Sequence, residues 1–244
     1  MPATPRAASR ALLLPDAFTP QVRRVLTRAD PTLAAMMRRV GPFRLQMRPL
    51  HSPFAALAES IVYQQLHGRA AASIFARLCE RVGQGALFTP GALLATPEPA
   101  LREAGLSGAK AAALKDLAQK TQEGAVPALA QVRRLSDGEL IERFTQVRGI
   151  GQWTVEMLLI FRLGRPDVLP VDDYAIRKGF GRLLGLKESP RPREVLEYGE
   201  RWRPWRTVAS WYLWRSLELP EAQEAPSGEA SKPPQSRQLA ASRG

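Results

Sequence analysis

The chain has 244 residues, with 35 Lys and Arg against 23 Asp and Glu, for a formal net charge of +12. The length allows one domain or two small lobes around a substantial core, and the charge points to a polyanionic partner or, failing that, to basicity kept for solubility. One cysteine, Cys79, excludes an internal disulfide framework and a four-cysteine iron–sulfur cluster, and with two histidines it argues against a zinc site.

Residues 1–15 read as a flexible basic arm, and the first fifty residues carry nine arginines against two aspartates. Ala11-Leu12-Leu13-Leu14 is too short for a signal-peptide core, and no apolar run approaches the roughly twenty residues of a membrane span. Asp30-Pro31 is an N-cap followed by proline at the first helical position, and the helix it opens stops at Gly41-Pro42. Phe43 to Leu50 reads as a short strand or an extended link. Ser52-Pro53 opens a helix with Phe54, Leu57, Ile61 and Val62 toward the core. That helix ends in Tyr63-Gln64-Gln65-Leu66-His67-Gly68, and another follows from Arg69 to about Val82. Cys79 in it reads as a plain core residue.

Thr96-Pro97 starts a short helix ending at Gly105, and Ser107-Gly108 caps a longer one through Gln122. Ser136 with Glu139 forms a capping box for a helix reaching Val147. Helices are then expected from Gln152 to Arg162, from Asp172 or Asp173 to near Gly185, over 193–200, and from near Pro204 through Trp214. The body, residues 16–219, is therefore nearly all helix in roughly ten segments. The stretch 220–244 has almost no large apolar residues and reads as a disordered tail.

The stretch that organises the rest is Val147-Arg148-Gly149-Ile150-Gly151-Gln152-Trp153-Thr154. A tight turn between two helices leaves backbone N–H groups unpaired at the start of the second, where the helix dipole adds partial positive charge. Such a turn can hold a phosphate. About twenty residues on comes Pro170-Val171-Asp172-Asp173-Tyr174-Ala175-Ile176, an acid pair at a helix start, where the charged carboxylate is favoured. On spacing alone both features are also compatible with an ordinary turn and an ordinary N-cap, a role open to Asp172.

Together with Ile61-Val62-Tyr63-Gln64-Gln65-Leu66 and Arg201-Trp202-Arg203-Pro204-Trp205-Arg206, continuing to Trp214, these stretches resemble the helix-hairpin-helix base-excision DNA glycosylases. Within that superfamily they resemble the 3-methyladenine DNA glycosylase II branch, which acts on alkylpurines. The resemblance spans about residues 50–216. It implies an all-α, two-lobed helical bundle containing a helix-hairpin-helix motif, with the active site in the cleft between lobes.

It further implies a monofunctional hydrolase that removes alkylated purines from double-stranded DNA and leaves an abasic site. Asp173 is the matching catalytic position, three residues before the aliphatic Ile176. The carboxylate would stabilise an oxocarbenium-like sugar or orient water. Trp153, Tyr174 and Trp214 match pocket positions, whose aromatic faces attract a cationic base. Met157, one turn after Trp153, is expected to close the pocket, although some relatives have an aromatic there. Gln65 or Leu66 would fill the gap left by the extruded base.

Gly149, Ile150, Gly151, Gln152 and Thr154 would contact DNA phosphate. Trp153 fills the slot that holds a Schiff-base lysine in bifunctional members, so strand cutting is not expected. No cofactor and no metal for the chemistry are implied, though hairpin carbonyls could hold a structural cation. A cytoplasmic monomer working on DNA without membrane contact is expected. The rivals are a non-catalytic DNA-binding module and a bifunctional oxidised-base glycosylase.

Overall fold

The computed structural model describes residues 20–48, 50–66, 68–83 and 88–220. The arm at 1–15, His67 and the tail beyond Pro220 lie outside the described residues. Among those described there are thirteen α-helices, one 3-10 turn and no strand: α1 (Pro20–Ala29), α2 (Pro31–Val40), α3 (Pro53–Tyr63), α4 (Gly68–Gly83), α5 (Pro90–Ala95), α6 (Glu98–Glu103), α7 (Gly108–Gln122), α8 (Leu129–Val132), α9 (Asp137–Phe144), α10 (Gln152–Phe161), α11 (Tyr174–Leu184), α12 (Pro192–Gly199), the 3-10 turn Glu200–Trp202 and α13 (Arg206–Ser216). The stretch after α2 is thus the extended link, tied down where the Arg48 N–H donates to the Phe161 carbonyl at 3.0 Å.

The helix starts follow local chemistry. The side chains of Asp30, Ser52, Ser107 and Ser136 each accept a backbone N–H of the first turn, and proline enters α2, α3 and α12 near the first helical position. Two expected boundaries shift. The helix opened by Ser136 stops at Phe144, and turns cover the stretch to the hairpin; the last helix begins at Arg206, after the 3-10 turn has used up the residues around Trp202. Cys79 is only partly buried, because its neighbour Leu78 takes the core-facing position of α4. Its thiol is pushed up by burial and by the negative charges of Glu59 and Glu80, as suits an unreactive sulfur.

Helices α3 to α7 pack on one another as one lobe. Helices α1 and α2 leave that lobe and pack instead with α11, α13 and the 3-10 turn. The chain thus starts in the second lobe, builds the first, and returns through α9 and α10. Asp30 locks this return. Buried at the α2 N-terminus, it accepts the Thr32 and Leu33 N–H groups and the indole N–H of fully buried Trp202 at 2.9 Å. All three donors go to one carboxylate, so the buried charge is compensated.

Helices α11 and α13 meet without a gap at Gly179. A Cβ there would stand 2.4 Å from the Leu213 carbonyl oxygen, which is backbone and cannot swing away. This contact fixes the spacing between the start of α11 and Trp214 on α13. Gly179→Ala should force the two helices apart and cost about 1–3 kcal/mol, the usual range for overpacking. Urea unfolding measures it; an unchanged midpoint would contradict the contact.

Candidate active site

Asp173 is the N-cap of α11, so the capping role left open for Asp172 falls on the same residue as the proposed chemistry. Its Oδ1 accepts the Ile176 N–H at 2.8 Å and the Trp214 indole N–H at 3.3 Å. Its Oδ2 accepts the Trp153 indole N–H at 2.6 Å. Three elements, α10, α11 and α13, therefore converge on one carboxylate and fix its orientation.

Beside it lies an open recess of about 560 Å³ whose walls include Ser60, Tyr63, Gln64, Trp153, Met157 and Phe161. Trp153, Met157 and Phe161 are spaced four residues apart and form one stripe of α10. Phe161 stacks on Trp214, with ring centroids 5.8 Å apart, and a second recess of about 680 Å³ opens on that side against Trp211, Trp214 and Arg215. Trp153 and Met157 thus both line the recess. Trp214 joins through Asp173 and Phe161. Tyr174 is 68% exposed and does not line the recess. Trp202 and Trp211 are buried and Trp205 packs against the core.

Tyr63 and Phe161 were not among the expected pocket residues. Tyr63 belongs to a stretch read for its wedge, and the i+4, i+8 spacing after Trp153 was the signal for Phe161. Glu59, joined to both Arg48 and Arg162, holds the polar rim of the recess.

Gln65 lies on the recess with φ +56, a conformation few non-glycine residues adopt. Leu66 beside it is exposed. Gln65 therefore stands at the mouth of the recess, with Leu66 next to it on the same bend.

In the hairpin, Ile150 is buried and anchors the turn, and its N–H donates to the Val147 carbonyl. The Thr154 N–H is likewise used, by the Gly151 carbonyl. The N–H groups of Gly151, Gln152 and Trp153 at the start of α10 have no partner among the described residues, and Gly151 brings no side chain to cap them. Of the five expected phosphate contacts, Ile150 and Thr154 thus offer no free N–H. The Thr154 side chain instead faces the recess, and the Gln152 carboxamide donates to Glu156 at 2.9 Å. No cluster of His, Cys, Asp and Glu suited to a metal ion occurs among the described residues.

Residues 58–204 match the HhH-GPD superfamily of base excision DNA repair proteins. The chain belongs to that superfamily. It is 39% identical over 195 residues to DNA-3-methyladenine glycosylase 1 of Schizosaccharomyces pombe, covering 80% of this chain and 86% of the relative. Its fold matches the S. pombe 3-methyladenine DNA glycosylase Mag1 solved with abasic DNA, at a TM-score of 0.70 and 37% identity over 84% of this chain and all of that one. It also matches a DNA-3-methyladenine glycosidase from Bacillus halodurans, at a TM-score of 0.73 and 34% identity over 82% of this chain and 90% of that one.

Glu156 is the buried acid of this superfamily member's hairpin helix. Burial raises its pKa above the usual carboxylate value; the Gln152 bond opposes this, and Asp172 and Asp173 add to it. A carboxyl whose folded pKa is raised binds its proton more tightly when folded. Stability therefore falls as pH rises from the unfolded value through the raised folded one. Glu156→Gln keeps an acceptor for Gln152 and removes the titration. The variant should be the more stable form at pH 7, with the gap closing near pH 4 as the wild-type acid protonates; thermal unfolding at both pH values checks it.

The two hairpin glycines should separate on substitution. Gly149 has φ +79, so Gly149→Ala should cost about 1 kcal/mol or more of folding stability. Gly151 has an ordinary extended φ and open space around a would-be Cβ. Gly151→Ala should therefore leave stability within about 0.5 kcal/mol while weakening duplex DNA affinity. Unfolding curves and binding titrations on undamaged duplex read the two effects separately.

Proposed function

We propose that the chain is a monofunctional DNA glycosylase that hydrolyses the N-glycosidic bond of alkylated purines, 3-methyladenine and 7-methylguanine among them, in double-stranded DNA. The observation that carries the reading is a carboxylate held by two tryptophan N–H donors and its own helix start, beside a recess walled by aromatic side chains. The names of the relatives supply the substrate class.

The chemistry asks little of the protein. A purine alkylated on a ring nitrogen is positively charged and already a good leaving group, so no strong acid is required. As the bond breaks, positive charge builds on the sugar, and the fixed Asp173 carboxylate stabilises it or orients the attacking water. The faces of Trp153 and Tyr63 favour the cationic base over its neutral parent.

The free N–H groups of Gly151, Gln152 and Trp153 hold a phosphate. Gln65 or Leu66 enters the stack as the target nucleotide leaves it. Trp153 in place of an amine makes the enzyme monofunctional, and exposed Lys178, one turn beyond Asp173, takes no part. Residues 16–219 form the catalytic body, flanked by the basic arm 1–15 and the tail 220–244. A monomer working in the cytoplasm belongs to the same reading.

Asp173→Asn tests it, because asparagine caps a helix as well as aspartate does and the fold should survive. Base release from methylated duplex should fall by more than tenfold, a barrier increase above about 1.4 kcal/mol, with duplex affinity nearly unchanged. A variant keeping more than about a tenth of the wild-type rate would refute the assignment. Treated wild-type substrate should remain full-length until hot alkali is added, and borohydride should trap no protein–DNA adduct; a trapped band would overturn the monofunctional reading.

A further inference from the structure

Helix α7 carries no expected site residue, yet it touches both parts of the DNA-facing apparatus. Lys110 on α7 donates from Nζ to the Val62 and Gln64 carbonyls, both at 2.7 Å. These are carbonyls at the end of α3, immediately before the bend with Gln65 and Leu66. The Gln64 side chain then donates from Nε2 to the Gly149 carbonyl of the hairpin at 2.8 Å. One peptide back, the Arg148 N–H donates at 2.7 Å to Oδ2 of Asp116, again on α7. Asp116 Oδ1 is held by Lys120 at 2.6 Å.

The contacts close a ring: α7, the bend, the hairpin, and α7 again. Lys110 and Asp116 lie six residues apart on the helix, about 9 Å at the usual rise. Ala113 lies between them, 3.7 Å from where a Cβ on Gly149 would stand. A lysine capping one helix end would be ordinary. Here the same residue sets the base of a bend whose next residue, Gln65, is held at positive φ, and Asp116, further along the same helix, sets the hairpin.

We propose that Lys110 is a positioning residue: it fixes the wedge bend relative to the hairpin, so that the side chain entering the base stack is in register with the phosphate the hairpin holds. The proposal rests on the glycosylase reading above and concerns how that enzyme opens the duplex. Lys110 itself touches neither substrate nor Asp173. Its contribution is felt only where a wedge is needed, that is, where a paired base must be drawn out and its place filled.

The test compares two substrates in single-turnover base release: 7-methylguanine opposite cytosine, and 7-methylguanine opposite a tetrahydrofuran abasic analogue, which has no pair to break and no orphan base. Lys110→Met keeps the aliphatic stem and removes the donors. It should lose about tenfold or more on the paired lesion and stay within about twofold on the unpaired one, because unpairing cost is least where no partner exists. Lys110→Arg, with donors restored, should recover most of the paired rate. Affinity for undamaged duplex should be unchanged, since Asp116 still holds the hairpin.

Equal losses on both substrates, or no loss on either, would overturn the proposal. If Lys110→Met lacks a cooperative thermal transition, Lys110→Gln, which keeps one donor but cannot span both carbonyls, replaces it: a loss confined to the paired lesion supports the proposal, and equal losses overturn it. A wild-type protein that releases base from neither substrate would instead refute the glycosylase reading.

Discussion

Everything at this site depends on one carboxylate being fixed from three directions. Asp173 binds the backbone of its own helix, an indole on α10 and an indole on α13. A charge-assisted bond is strong only while donor and acceptor stay in line. The distances between α10, α11 and α13 are therefore part of the site. Gly179, on Asp173's own helix, admits the Leu213 carbonyl against α11, and Asp30, far along the chain, ties α2 to Trp202; both hold the second lobe in the arrangement that makes those bonds. The proposed chemistry uses one acid; the fold's share is to keep that acid from turning.

The hairpin is built on the opposite logic. Its useful groups are those left without partners. Ile150 buries its side chain and spends its N–H inside the turn, Asp116 takes the Arg148 N–H, and Gln64 satisfies the Gly149 carbonyl. The turn is thereby held from the protein side, and the N–H groups of Gly151, Gln152 and Trp153 have no partner among the described residues. A rigid turn with open donors loses little entropy on meeting a phosphate, which is what makes a helix start effective as an anion site.

Much of this was legible in the sequence because it is written in local rules. Asp30-Pro31, Ser52-Pro53, Ser107-Gly108 and Ser136 with Glu139 are short-range signals, and each opens a helix where expected. The missed elements are α1, α5 and α8. Helix α1 has only Val22 and Leu26 to bury, and α5 and α8 are six and four residues long, too short to show a period, although Thr89-Pro90 is a readable start for α5. The site was legible in part. Asp173 and Trp153 are read from motif positions and Met157 from its place one turn after Trp153. The Gln64 to Gly149 bond joins residues 85 apart, and Lys110 reaches across 46 to the bend. No periodicity encodes such contacts, since they depend on how the lobes close. Tyr174 shows the converse: a motif position fixes the backbone, and an N-terminal helix residue next to Asp173 still points into solvent.

The exposed apolar side chains follow from the same arrangement. Leu66, Trp153 and Tyr174 are among the few large hydrophobics the described surface leaves in water, and all three lie on the segments that bear the bend, the hairpin helix and the Asp173 helix start. Keeping them wet forgoes about 25 cal/mol for each Å² that could have been buried. Isolated exposed residues need no explanation, but Trp153 lines the recess, Leu66 follows Gln65 on its edge, and Tyr174 follows Asp173 in the chain. On the proposed reading that unburied area is recovered when DNA arrives: the wedge enters the stack, the recess receives a base, and water leaves the indole beside Asp173. The same removal of water strengthens the attraction between the carboxylate and the charge forming on the sugar, so the hydrophobic term and the electrostatic term act at the same moment.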